Sequence, residues 1–102
     1  MNEVIGAKLD EVAKLCATYR VARLELFGSA ARDDFDPASS DLDFLVEFDP
    51  GESSGLADRY FGLLESLEAL FNRPVDLVQA SAVKNPYLLQ SINSSRTVLY
   101  AA

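Results

Sequence analysis

An α/β domain (α+β in the stricter sense), with helices laid on a small mixed sheet, is the fold class that three features of this sequence predict. Residues 3–19 and 56–71 carry apolar side chains at three-to-four spacing, the stripe of an amphipathic helix. Residues 41–48 alternate with a period of two, as a strand with two unlike faces does. The two patterns interleave along the chain in the order α-β-α-β-α-β-α-β, which places helices against a sheet. With 102 residues, the expectation is one domain over 1–102, long enough for a hydrophobic core.

The elements follow in order. Ile5, Leu9, Val12, Cys16 and Tyr19 mark the opening helix, and Cys16 on that stripe reads as core packing. Val21–Phe27 is short, apolar and stopped by Gly28, so it reads as a strand, with Ala22, Leu24 and Leu26 on one face. Ser29 before Ala30, Ala31 and Arg32 suggests an N-cap and a helix of one or two turns. Residues 33–40 hold Pro37 and two serines and read as a loop. On the strand 41–48, Leu42, Phe44, Val46 and Phe48 share one face, and Asp41, Asp43, Leu45 and Glu47 share the other. Residues 49–55 form a turn-rich link to the second long helix, which Pro74 ends. Val75–Ala80 reads as a third strand, with Val75 and Leu77 on one face and Asp76 on the other. A helix over Pro86–Ile92, with proline in its first turn, and a strand over Arg96–Tyr100 complete the chain.

Composition excludes several chemistries. There is no histidine and one cysteine, which rules out an internal disulfide, a Ser-His-Asp hydrolase and the usual zinc sites. Sixteen acidic and nine basic side chains give a net charge of −7. That field opposes direct nucleic-acid binding, which needs clustered cations, and suits divalent cations or a basic protein partner. No apolar run reaches the roughly 20 residues that span a bilayer, so no membrane association is expected. The first residues lack the basic-then-apolar layout of a secretory signal. A cytoplasmic location is the resulting expectation.

The candidate site lies in residues 26–46, LFGSAARDDFDPASSDLDFLV, together with Asp76. Aspartate is depleted in strands and costly to bury unpaired, yet Asp41, Asp43 and Asp76 all fall on strands whose opposite face is apolar. Close together they repel one another unless a cation intervenes, and Mg²⁺ favours such oxygen donors along with phosphate oxygens. Two ions could activate a hydroxyl and stabilise a leaving oxygen, with Asp76 holding the second ion or taking the proton. An EF-hand reading starting at Asp34 fails, because Ser39 stands at the glycine position and Leu45 at the closing glutamate position. Arg59, Tyr60 and Arg73 read as helix-face packing and solvated charge.

The sequence Gly28-Ser29-x-Ala31-Arg32, followed by Ser40-Asp41-x-Asp43 and later Val75-Asp76-Leu77-Val78, resembles the minimal nucleotidyltransferases of the DNA polymerase beta-like superfamily, MntA-type antitoxins among them. The likeness covers nearly the whole chain, including Asn85-Pro86-Tyr87-Leu88 and Val98-Leu99-Tyr100. It implies a polymerase beta-like fold and Mg²⁺-dependent transfer of a nucleoside monophosphate from an NTP, with pyrophosphate released. Asp41 and Asp43 would bind the metals, with Asp76 as third ligand or base. Gly28, Ser29 and Arg32 would meet the phosphates, although Arg32 reads equally as a structural partner of an acidic neighbour. Small members of the family pair with a helical RNase toxin of the HEPN class, and some transfer AMP from ATP to its tyrosine.

This chain departs from the pattern in its loop. Asp33 stands where the family usually has glycine, and Asp34 and Asp36 follow with no basic residue before Ser40. Triphosphate binding then rests on backbone donors, Ser29, Arg32 and the metals. The alternative function is a non-catalytic acidic antitoxin that neutralises its partner by binding, which the charge and this loop favour. A small-molecule acceptor calls for a further domain or a dimer, and template-directed synthesis calls for a basic groove that is absent here.

Overall fold

The computed structural model describes residues 3–28, 31, 41–50 and 55–102. The stretch read as one opening helix is two, α1 (Glu3–Gly6) and α2 (Leu9–Thr18). Gly6 is a poor helix former, and the Lys8 amide closes back on the Ile5 carbonyl at 3.0 Å, a tighter turn that breaks the helical run. The apolar stripe survives the break, since Ile5, Val12 and Cys16 are all fully buried. β1 (Val21–Phe27) and β2 (Leu42–Phe48) come next, then α3 (Leu56–Phe71) and β3 (Val75–Gln79). Ala80, read as strand, instead opens a short 3₁₀ turn over Ala80–Ala82. The chain continues through α4 (Pro86–Asn93) and β4 (Thr97–Ala101). The short helix expected after Ser29 lies outside the described residues, apart from Ala31, whose amide bonds the Gly28 carbonyl at 3.1 Å.

The four strands form one mixed sheet in the order β3-β2-β1-β4. β1 runs antiparallel to both β2 and β4, while β2 and β3 are parallel, joined through α3. One face carries Val21, Leu24, Leu26, Leu42, Phe44, Val46 and Leu77 into a buried cluster with Val12 and Cys16 of α2 and Leu63, Leu67 and Phe71 of α3. A register irregularity between Val21 and Arg23 turns Val21 into this core, where simple alternation predicted Ala22. On the opposite face, Phe27 and Leu45 pack on Ile92 of α4. α4 itself starts as the sequence suggested. The Asn85 side chain accepts from the Tyr87 and Leu88 amides at 2.9 and 3.4 Å, with Pro86 beside the cap.

Cys16 is wholly buried, and desolvation pushes its thiol from 9.0 up to about 12. Between those values the unfolded chain ionises this thiol while the native state keeps it protonated. The unfolded state therefore binds fewer protons, and stability falls as pH rises above about 9, by at most about 1.4 kcal/mol per pH unit. Urea denaturation of wild type and Cys16→Ala at pH 8 and pH 10.5 is expected to show a steeper loss in wild type.

Candidate active site

Three strand ends meet at one end of the sheet: the C-terminal end of β1 and the first residues of β2 and β3. Asp43 is the second residue of β2 and Asp76 the second of β3, and the parallel register pairs them directly. Their successors, Phe44 and Leu77, both enter the core beneath α2 and α3. By alternation the two carboxylates therefore leave the sheet on its other face, on strands about 4.8 Å apart. Asp43 is half-buried and Asp76 exposed. Asp41, one residue ahead of β2, is exposed and outside the ladder. Two carboxylates in direct lateral register repel, a cost that a shared cation or proton removes.

On the other side of Asp43 stands Phe27, its antiparallel partner, and then Gly28. Gly28 adopts φ +75°, in the left-handed region, and a Cβ built there would collide with the Asp43 carboxylate. Glycine at this position thus serves two needs, the turn and the space for Asp43. The Gly28 amide donates to Ser95 Oγ at 3.0 Å, across 67 positions of sequence. Ser29 and Arg32, the other expected phosphate contacts, lie outside the described residues.

Two neighbours escaped sequence reasoning. The Tyr60 hydroxyl, from α3, donates to the Leu77 carbonyl at 2.5 Å and so fixes edge strand β3 immediately after Asp76. Burial raises its pKa, and the Asp76 charge adds to the rise. A tyrosine on an otherwise apolar helical stripe carries that signal, since its ring can bury while its hydroxyl finds a partner. The second is Glu25, only 2% exposed, in the middle of β1. Arg23 Nε reaches its Oε1 at 2.9 Å, and Arg96 Nε and Nη2 reach its Oε2 at 2.9 and 2.6 Å. No local pattern marks this pairing, because Arg96 comes from the far end of the chain.

Among the described residues no three His, Cys, Asp or Glu side chains gather into a cage for a metal ion. The donors the register brings together are the two carboxylates of Asp43 and Asp76, with Asp41 two positions ahead of Asp43 along the chain. Carboxylate pairs suit Mg²⁺, which binds through one or two carboxylates plus substrate phosphates. A groove of about 430 Å³ opens at the opposite end of the sheet, lined by residues including Ala22, Phe48, Leu56, Arg59 and Gln79. Arg59 lies over the Phe48 ring there, 5.4 Å from its centroid. That groove includes none of Gly28, Asp43 and Asp76.

Residues 9–99 match the family described as the nucleotidyltransferase domain. The chain belongs to that family. The matched span runs from the start of α2 into β4 and includes Gly28, Asp41, Asp43 and Asp76. This nucleotidyltransferase is 38% identical over 74 residues to a Methanocaldococcus jannaschii protein provisionally named protein adenylyltransferase MJ1379, covering 72% of each chain. A solved structure, provisionally described as a minimal nucleotidyltransferase, superposes with a TM-score of 0.75 at 31% identity, over 95% of both chains. The fold is thus the one the sequence motifs led us to expect. A chain from the complex of tri-AMPylated Shewanella oneidensis HEPN toxin with MNT antitoxin shares the fold at 18% identity, with a TM-score of 0.65 over 95% of this chain and 72% of that one. No described helix of the nucleotidyltransferase is long and apolar enough to cross a membrane.

Proposed function

We propose that this nucleotidyltransferase uses Mg²⁺ to move AMP from ATP onto a hydroxyl of a partner protein, a tyrosine of a HEPN-class toxin, and so acts as its antitoxin in the cytoplasm. The observation that carries the reading is the lateral register of Asp43 and Asp76, with Gly28 shaped around the Asp43 carboxylate. Asp41, Asp43 and Asp76 are the residues that would hold the metal. Bound there, Mg²⁺ would offset the charge of the triphosphate and of the departing pyrophosphate. Gly28, with no side chain, would let the backbone approach the phosphates closely, and Ser29 and Arg32 would bind and orient them. Transfer forms a bond between the acceptor oxygen and the α-phosphorus and breaks the bond from that phosphorus to pyrophosphate. The acceptor proton passes to a carboxylate, and Asp76, the more exposed of the pair, is our candidate base. Protein catalysis here is mainly positioning and charge stabilisation.

The acceptor class is supported by the relative named as a protein adenylyltransferase and by the AMPylated toxin in the related complex. The net charge of −7 favours the second reading, neutralisation by binding alone. Growth rescue separates the two. Cells expressing the partner toxin are expected to survive with the wild-type protein and to die with Asp76→Asn. Full rescue by the variant would instead assign the protein to stoichiometric binding.

A further inference from the structure

The corner between α4 and β4 is held more firmly than its exposure suggests. Ser94 and Ser95 amides bond the Gln90 and Ile92 carbonyls at 3.1 and 3.2 Å, and Ile92 is buried against Phe27. The next residue, Arg96, binds Asn93 Oδ1 at 2.8 Å and the buried Glu25 carboxylate twice. Glu25 lies on the same strand that ends before Gly28. Ser95 is thereby fixed beside the β1 terminus, where its Oγ accepts the Gly28 amide at 3.0 Å.

Glycine reaches many backbone conformations, so the one at Gly28 needs a partner to select it. Gly28 in its φ +75° conformation forms the wall against which the Asp43 carboxylate rests. We propose that Ser95 is a positioning residue for the candidate active site: through the Gly28 backbone it presets the Asp43 carboxylate for Mg²⁺–triphosphate binding. This rests on the nucleotidyl-transfer reading above. Ser95 touches neither substrate nor metal in this role, and its effect passes through one amide.

The test is calorimetric titration of Mg²⁺ with an ATP analogue carrying a methylene in place of the α,β-bridging oxygen, using wild type, Ser95→Ala and Ser95→Thr. Ser95→Ala is expected to weaken binding about fivefold, the shift one neutral hydrogen bond supplies. Ser95→Thr, which keeps the hydroxyl, is expected to bind within about twofold of wild type by the same argument. Equal affinity in Ser95→Ala and wild type would overturn the proposal, as would a threonine variant as weak as the alanine one. Wild type that binds no nucleotide would overturn the underlying reading and this proposal with it. Amide hydrogen exchange on the wild type gives an independent check should Ser95→Ala not fold. Protection at Gly28 is expected, and exchange at the rate of an open loop would overturn the assignment.

Discussion

Asp43→Asn is expected to abolish nucleotidyl transfer while leaving the protein folded. The change keeps the shape of the side chain and removes one charge from the pair that Asp43 forms with Asp76 across the β2–β3 ladder. Catalysis by charge stabilisation is sensitive to such a loss, and a fall of about a thousandfold or more, on the order of 4 kcal/mol in transition-state energy, is the predicted size. Stability is predicted to move the other way or not at all, because a like-charge pair in lateral register is relieved. Thermal melting followed by circular dichroism, run beside the transfer assay, checks both. Loss of activity with a matching loss of fold would mean that Asp43 holds the strand and not the chemistry.

Gly28→Ala is the second large effect. An alanine at φ +75° is strained by about 1 kcal/mol or more, and its Cβ collides with the Asp43 carboxylate. The carboxylate has to move, and a displacement of about 1 Å at a reacting centre can lower transfer on the order of a hundredfold. Gly6→Ala is the matched control, since a Cβ there meets nothing within 4 Å. Single-turnover rates of the two variants are expected to differ by most of that factor. Equal rates would show that the wall at Gly28 does not set the carboxylate position.

The two candidate carboxylates were legible because their evidence is local. Period-two alternation put Asp43 and Asp76 opposite an apolar face, and the structure then set them side by side through a parallel register that no single strand encodes. The Asn85 cap of α4 emerged only in the structure, but the start of that helix was legible for the same reason, from Pro86 in its first turn. Long-range contacts were not. Ser95 lies outside every element the sequence predicts, and Arg96, read as the first residue of the last strand, instead precedes β4. Only the antiparallel return of β4 to β1 brings them to Gly28 and Glu25. Ala22 shows a subtler failure, where a bulge shifted the alternation and gave its core position to Val21. The opening helix failed at Gly6, where a weak helix former allowed the chain to turn while its apolar stripe stayed intact.

The central claim, that the Asp43–Asp76 pair drives metal-dependent transfer of AMP, is tested most directly with α-labelled ATP, Mg²⁺ and lysate of the source cell. Wild type, Asp43→Asn and a chelator-treated sample would run side by side. The account predicts label on one protein band with wild type, and none with the variant or after Mg²⁺ is removed. Label that persists at full strength in Asp43→Asn would contradict it.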